Sequence, residues 1–138
     1  DGSNPFSYVR LVQPVLDRSC AGCHREQDAL DLSGAIEGPH GWSRSYRNLA
    51  ETYGFYYHVS NGSINTGIHG GSRAVAGEFG ALAAPLLEYL DERHHGVRLS
   101  AEDFRRVTLW LDSNSEFYGS YEDTLAQARG EIVWPTLD

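Results

Sequence analysis

The sequence predicts an all-α domain of about four to five helices joined by long loops, and three observations lead to that class. Apolar residues recur at helical spacing near both ends of the chain. Helix-start signals precede both stretches, Asn4 before Pro5 in the first and Ser100 in the second. Residues 54–82, which lie between them, are rich in Gly, Ser and Asn and have no period, so they are expected to form a long loop. A loop of that length in a small domain needs something to wrap around.

The first helix is expected to begin at Asn4 and to run to Cys20. Its apolar face consists of Phe6, Val9, Val12 and Leu16. Pro14 lies inside this stretch and should kink the helix or restart it, because proline has no N–H group to donate. Residues 25–42, which contain several Gly and a Pro, form a predicted loop.

Three more helices are expected in the rest of the chain. A short one covers residues 43–53, and another covers residues 83–91. The last follows the N-cap Ser100, has acidic residues in its first turn, and ends near Asn114. Its apolar stripe is expected to comprise Phe104, Val107, Leu109, Trp110 and Leu111.

Composition limits the size and the partners of this protein. A chain of 138 residues suits one domain, so residues 1–138 are expected to form a single, monomeric domain. It has no run of about 20 apolar residues that would cross a bilayer. Net charge is −8 and the 11 basic residues are all Arg, which argues against nucleic acid as a partner, because phosphate binding needs a basic face. The polar N-terminus is not a signal peptide, so we expect an exported protein that has lost its signal, or a module of a larger exported protein.

The chain has two Cys, and they form the segment Cys20-Ala21-Gly22-Cys23-His24. This is the C-x-x-C-H pattern of covalent haem c attachment. Two thiols three residues apart reach the two vinyl groups on one edge of a porphyrin, and the next residue then lies under the ring and offers a neutral imidazole to the iron. The sequence therefore predicts one covalent haem c, attached at Cys20 and Cys23, with His24 as an iron ligand.

Other chemistries of a Cys pair fit this sequence less well. A thioredoxin-like redox site should open a βαβ unit, and the sequence has no such pattern. A zinc site needs four ligands, usually with a second close pair, and no such pair accompanies Cys20 and Cys23. A disulfide that closed so short a loop would be strained.

The order of helix, C-x-x-C-H, loop, helix, loop, helix and long final helix resembles class I cytochrome c. In that family the first and last helices cross, and the loop before the last helix supplies the second iron ligand, which is usually Met. This chain has no Met and no Lys, so the sixth position is either open or filled by another residue. His94 and His95 are favoured because they stand just before the final helix, and His69 follows because it lies in the Gly-rich loop. His40 and His58 are the other candidates.

A second resemblance to known proteins rests on a further set of positions, and this resemblance is strongest over residues 71–121. It consists of Ser45-Tyr46, Asn48-Leu49, Gly71-Ser72, Pro85-Leu86, His94 three before Val97, Leu99-Ser100, Arg105 or Arg106, Trp110-Leu111-Asp112, Asn114, and Phe117-Tyr118-Gly119-Ser120-Tyr121. In these residues the chain resembles a group of monohaem c-type cytochrome domains. The group includes the C-terminal haem domain of the hydrazine synthase alpha subunit and related cytochrome modules of polysaccharide-degrading bacteria.

The resemblance implies that His24 is the proximal ligand and that the distal ligand is a His at the position of His94. The residue before that His is usually Gly in the group, whereas it is Arg93 here, so His95 stays an alternative ligand. Two His ligands stabilise ferric iron more than a His and a Met do, so a low reduction potential is expected. The resemblance does not imply hydrazine chemistry, because this chain has one attachment motif.

Other residues are expected near the haem. Arg73, in the long loop, is a candidate partner for a haem propionate, because Arg pairs well with carboxylates. Trp42, Tyr46, Tyr56 and Tyr57 either line the haem or belong to the core.

These features predict single-electron transfer rather than catalysis, because an iron with two protein ligands has no free site for a substrate. Haem c is attached outside the cytoplasm, so we expect a periplasmic or extracellular protein whose partner is a redox protein or a neighbouring domain. The resemblance suggests a copper polysaccharide monooxygenase as one such partner. The alternative is a haem enzyme or a gas sensor, which requires an open or displaceable sixth site. A haem that only staples a larger assembly is a further alternative.

Overall fold

The computed structural model describes residues 5–56, 59–60, 63–64 and 76–136. In this part of the chain the structure is mostly helical. The α-helices are α1 (Tyr8–Leu11), α2 (Gln13–Ser19), α3 (Ala21–Glu26), α4 (Arg44–Ala50), α5 (Ala101–Asp112) and α6 (Thr124–Ala128). Two 3₁₀ helices cover Gly80–Ala83 and Pro85–Tyr89, and two antiparallel strand pairs join β1 (Ile36–Glu37) to β2 (Trp42–Ser43) and β3 (Val59–Ser60) to β4 (Ser63–Ile64). The mainly helical class is confirmed, and the strand pairs depart from the all-α prediction.

The N-terminal helix starts later than its sequence signals indicate. It begins at Tyr8 rather than at Pro5, and Ser7 before it has extended backbone dihedrals. The helix is interrupted at Val12 and restarts as α2, with Pro14 in the first turn. Proline is well placed there, because the first N–H groups of a helix have no partner within it. The predicted restart at Pro14 is therefore confirmed.

A short hairpin lies where residues 25–42 were expected to form a loop. Strand β1 pairs with β2, and Ser43 at the end of β2 becomes the N-cap of α4. The Ser43 side chain accepts a hydrogen bond from the backbone N–H of Tyr46 at 3.2 Å. Helix α4 confirms the helix that was predicted within residues 43–53.

The short helix predicted over residues 83–91 is present as the 3₁₀ helix Pro85–Tyr89, which starts later and ends earlier than predicted. Pro85 lacks an N–H group and restricts the residue before it, so Ala84 is extended and one continuous helix cannot form. This segment is tied to α5, because the carboxylate of Asp112 accepts a hydrogen bond from the backbone N–H of Ala81 at 2.8 Å.

Helix α5 confirms the predicted final long helix, with Ser100 as its N-cap. Its buried face includes Trp110 and Leu111, whereas Phe104 and Leu109 are exposed, which corrects the predicted apolar stripe. Because successive residues turn by about 100°, Leu109 lies nearly opposite Leu111. Helix α6 follows α5 and was not predicted.

Helices α1 and α5 pack together at the centre of an aromatic core. The rings of Tyr8 and Trp110 are fully buried and lie 5.0 Å apart, edge to face. Tyr46 of α4 and Phe117 extend this core, with ring centroids 4.8 Å apart. We use the term aromatic core below for Tyr8, Tyr46, Trp110 and Phe117.

The described helices are short. The longest of them, α5, has 12 residues. Within the residues that the structure describes, no helix combines the length and the apolar character that a membrane crossing requires.

Candidate cofactor site

The C-x-x-C-H segment spans a helix junction. Cys20 ends α2, and α3 carries Cys23 and His24. Cys20 is partly buried, Cys23 is exposed, and both are free thiols. Helical spacing puts side chains three and four residues apart on one face, so the two thiols and the His24 imidazole border the same space.

A backbone carbonyl orients the imidazole of His24. Its Nδ1 lies 2.8 Å from the carbonyl oxygen of Leu30. Because a carbonyl only accepts, Nδ1 is the nitrogen that donates, and in the neutral imidazole Nε2 is then the nitrogen that carries the free lone pair. The turn that brings Leu30 to this position is closed by the backbone N–H of Ala29, which donates to the carbonyl of His24 at 2.9 Å. Metal-binding His residues characteristically make such a bond with their second nitrogen.

His94 lies across from His24. The centroids of the two imidazole rings are 6.1 Å apart, and the ring planes are inclined by 58°. His94 stands on the turn between the second 3₁₀ helix and α5, where the sequence analysis expected a second ligand. Folding therefore brings together two His residues that are far apart in the sequence.

The separation of the two rings fits one metal ion between them. A metal–imidazole bond is about 2.0–2.1 Å long and the ring centroid lies about 1 Å behind the nitrogen, so two imidazoles on opposite sides of one ion have centroids about 6 Å apart. The observed separation of 6.1 Å agrees with this value. Two His side chains alone would leave such an ion with most of its ligands missing, and a porphyrin is a group that supplies the rest.

Two adjoining cavities open beside these rings, and both are bordered by Cys20, His24, Ala29 and His94. The first, the apolar cavity, has a volume of about 280 Å³. Its walls are Leu16, Leu30, Leu32, Leu49, Leu86 and Leu90, with Tyr53 and Tyr89. The second, the polar cavity, has a volume of about 510 Å³ and includes Arg18, Cys23, Gln27, His95 and Arg98 in its lining. Cofactor pockets typically occupy roughly 300–1,000 Å³, so the space suits a largely apolar group that is attached at its edge.

The two cavities distinguish His94 from His95. His94 borders both cavities, whereas His95 borders only the polar one. The His95 ring packs edge to face on the His94 ring at a centroid distance of 4.9 Å. The arrangement thus favours His94 as the residue that faces His24, with His95 as its neighbour.

Burial favours the neutral forms of Cys20 and His94. Burial raises the pKa of the Cys20 thiol, and the neighbouring Cys23 raises it further. Burial lowers the pKa of His94, and the nearby His95 and His24 lower it further. A neutral imidazole is the form that binds a metal. A thiol with a raised pKa differs from the reactive thiolate of a redox enzyme, whose pKa is lowered.

Several features of the site were not identified from the sequence. The Tyr89 ring contacts the His94 ring edge to face at 5.2 Å and contacts the Tyr53 ring at 5.6 Å. The carbonyl of Leu30 was also missed, because a backbone group gives no signal in a sequence. The leucines of the apolar cavity were recognisable only as apolar residues.

Three aromatic residues that were considered as haem-lining lie elsewhere. Trp42, Tyr46 and Tyr56 border a separate cavity of about 1280 Å³. The Trp42 ring packs on that of Tyr46, which belongs to the aromatic core, at 5.4 Å. His40 packs on Trp42 at 5.2 Å. These contacts support the alternative that Trp42 and Tyr46 belong to the core.

The remaining predicted residues lie outside the described part of the chain. They are Tyr57, His58, His69 and Arg73, and the roles predicted for them stay predictions. Comparison of the chain with protein-family models, with curated proteins and with solved structures found no match.

Proposed function

We propose that this chain is a monohaem c-type cytochrome that transfers single electrons. In this proposal Cys20 and Cys23 hold the haem covalently, and His24 and His94 are its two axial ligands. The observation that carries the proposal is the 6.1 Å separation of the two imidazole rings beside the C-x-x-C-H thiols. The class I cytochrome arrangement, with the second ligand delivered ahead of the long helix α5, belongs to the same proposal.

The surroundings of the two His residues support haem over zinc. Within the described residues there is no group of three or more His, Cys, Asp or Glu side chains arranged to hold one metal ion. A structural zinc site takes four such ligands. The leucine-walled apolar cavity beside the rings also suits a large apolar group better than a single hydrated ion.

The residues of the chain tune the site for electron transfer. Haem supplies a one-electron couple between ferric and ferrous iron. The hydrogen bond from Nδ1 of His24 to Leu30 raises the basicity of this ligand. With haem bound, the leucines would shield it from water, and two His ligands would leave no iron position free for a substrate. Two His ligands and a net charge of −8 both favour the ferric state, so we expect a low potential.

The proposed setting follows from how haem c is made. Attachment of haem to Cys thiols takes place outside the cytoplasm, so we propose a periplasmic or extracellular location. The partner in this proposal is a redox protein or a neighbouring domain, and a copper polysaccharide monooxygenase stays a prediction from the resemblance. Cys23 is exposed, so one edge of the proposed haem would lie near the surface, where electrons can pass to a partner.

The test is the visible spectrum of the protein produced with the haem c attachment machinery of a bacterial periplasm. We expect haem that withstands extraction, sharp α and β bands after reduction, and no change on addition of carbon monoxide. His94→Ala should open the sixth position, so carbon monoxide should shift its spectrum at once. His40→Ala is the matched control, because His40 packs on Trp42 away from the two cavities, and it should behave as the wild type. A wild-type protein without covalent haem would contradict the proposal.

A second candidate function is ligand binding at a displaceable sixth position, as in a gas sensor or a haem enzyme. One observation favours it: His94 stands on a turn whose side-chain ion pairs are exposed to solvent. Such pairs contribute little to stability. Immediate binding of carbon monoxide by the wild-type protein would favour this candidate over electron transfer.

A further inference from the structure

We infer that Asp91 is a positioning residue that holds the turn on which His94 faces His24. The inference rests on the proposed function, in which His94 is an axial ligand. It goes further, because it proposes that the stability of the bond between His94 and the iron depends on a carboxylate that does not contact the iron site itself. His94 stands on the turn that joins Leu90 to Val97, and hydrogen bonds close this turn on both sides of it.

Asp91 ties together the backbone just before His94. Its Oδ1 accepts a hydrogen bond from the backbone N–H of Arg93 at 2.9 Å. Its own carbonyl accepts a hydrogen bond from the backbone N–H of His94 at 3.1 Å. An Asp side chain that accepts from the backbone two residues later is a standard way to close a turn. Asp91 thus closes the turn through its side chain and through its main chain.

The same carboxylate binds the guanidinium of Arg93. Nε of Arg93 donates to Oδ1 and Oδ2, both at 3.0 Å, and Nη2 donates to Oδ2 at 2.7 Å. A planar guanidinium that binds a carboxylate through two nitrogens fixes direction as well as distance. The residue that follows Arg93 is His94, so this fork restrains the chain next to the proposed ligand.

The turn needs such a restraint because its backbone is unusual. His95 has a φ of 50° and Gly96 has a φ of 76°. The left-handed region is unfavourable for a residue with a side chain, and His95 persists there only if its surroundings hold it. After His94 the turn is closed by its carbonyl, which accepts a hydrogen bond from the backbone N–H of Val97 at 3.0 Å. Loss of the Asp91 side-chain contacts would therefore weaken the turn and leave it to its main-chain hydrogen bonds.

The experiment compares variants of the haem-loaded protein by the rate at which carbon monoxide binds after reduction. Carbon monoxide binds only while His94 is off the iron, so the rate reports the population of the open turn. Asp91→Ala removes one hydrogen bond and one exposed ion pair and should raise this rate about threefold to tenfold. Asp91→Asn keeps an oxygen for the N–H of Arg93, and Arg93→Ala keeps the turn bond, so each should give a smaller increase.

Glu92→Ala is the matched control. Glu92 lies in the same turn, but its side chain forms an exposed ion pair with Arg98 at 3.3 Å rather than a hydrogen bond with the backbone before His94. It should leave the rate at the wild-type value. A second readout does not use the iron: hydrogen exchange at the His94 amide should speed up in Asp91→Ala and stay unchanged in Glu92→Ala.

The outcomes separate the inference from the function on which it rests. If the wild type is six-coordinate and both Asp91→Ala and Glu92→Ala bind carbon monoxide at its rate, the inference is overturned and the proposed function stands. If the wild type carries no haem, the proposed function fails. A graded increase, largest in Asp91→Ala and absent in Glu92→Ala, supports the role of Asp91.

Discussion

The aromatic core and the apolar cavity differ in how their side chains are packed. In the aromatic core, the rings fill the space, and each hydroxyl and indole N–H group of these rings has a hydrogen-bond partner within the protein. The hydroxyl of Tyr8 donates to Ser45, that of Tyr46 donates to the carbonyl of Ser115, and the indole N–H of Trp110 donates to the carbonyl of Glu116. The apolar cavity instead presents leucine side chains to a space that the chain leaves open.

In the proposed function, the aromatic core packs within the chain, whereas the haem would complete the packing of the cavity walls. A ring such as Trp110, with no exposed surface, has its packing partners within the chain. A leucine that borders a cavity lacks partners on one side and loses those contacts. The aromatic core should therefore be stable in its own right, whereas the cavity walls should gain order from the proposed haem.

The largest effect is expected from removal of the haem attachment. In the double variant Cys20→Ala and Cys23→Ala, the leucine walls should lose their partner and open more readily. Hydrogen exchange at the amide of Leu86, which donates to the carbonyl of Tyr53, should speed up strongly. Exchange at the amide of Val12 in the aromatic half should change much less. Equal acceleration at both amides would contradict the division into two regions.

The next effect tests the aromatic core directly. Trp110→Ala removes a fully buried ring that contacts Tyr8, and we expect a loss of about 3–5 kcal/mol in the free energy of unfolding. Urea unfolding followed by circular dichroism measures it. Leu109→Ala is the control on the same helix, because Leu109 is exposed and should cost about 0.5 kcal/mol or less. A comparable loss in both variants would show that the core is not organised around Trp110.

A smaller effect is expected from the polar network beneath the aromatic core. Ser45 is fully buried, accepts from the Tyr8 hydroxyl at 3.1 Å and donates to the side-chain oxygen of Gln13. Ser45→Ala should cost about 1–3 kcal/mol, because it leaves buried polar groups without a partner. Urea unfolding again measures the change. Ser113→Ala, at the exposed end of α5, is the control, and a similar cost there would refute the network argument.

The smallest effect concerns Asp31, which lies in the sequence between Leu30 and Leu32, two walls of the apolar cavity. The backbone N–H and the hydroxyl of Ser33, together with the nearby Arg44, hold the pKa of Asp31 below its ordinary value. A lowered pKa in the folded state gives stability above the unfolded value of about 3.9, and this stability is lost as the pH falls toward the folded value. Asp31→Asn should therefore destabilise the protein slightly at pH 6, by about 0.5 kcal/mol, and less at pH 3. Unfolding curves at the two pH values measure the difference, and an equal change at both would contradict it.

Local signals in the sequence predicted much of the framework. The restart at Pro14 and the cap at Ser100 were identified correctly, because each depends on the chemistry of a few neighbouring residues. The bounds of the helix predicted over residues 83–91 were wrong, since apolar spacing was given more weight than Pro85, at which the 3₁₀ helix begins. Helix α6 was missed, although Asp123 is a favoured N-cap residue and its side chain accepts a hydrogen bond from the backbone N–H of Ala126.

The candidate site, like the helices, was predicted from the sequence only in part. Cys20, Cys23 and His24 lie within five consecutive residues, so the sequence by itself determined their spacing and the chemistry that it predicts. It also limited the second ligand to a few His residues, because the chain has no Met. The position of His94 across from His24, the carbonyl of Leu30 and the leucine walls were shown only by the tertiary structure. The physical reason is distance along the chain: these groups meet only when α3 and the turn before α5 are packed on the same cavity, and no local pattern encodes that contact.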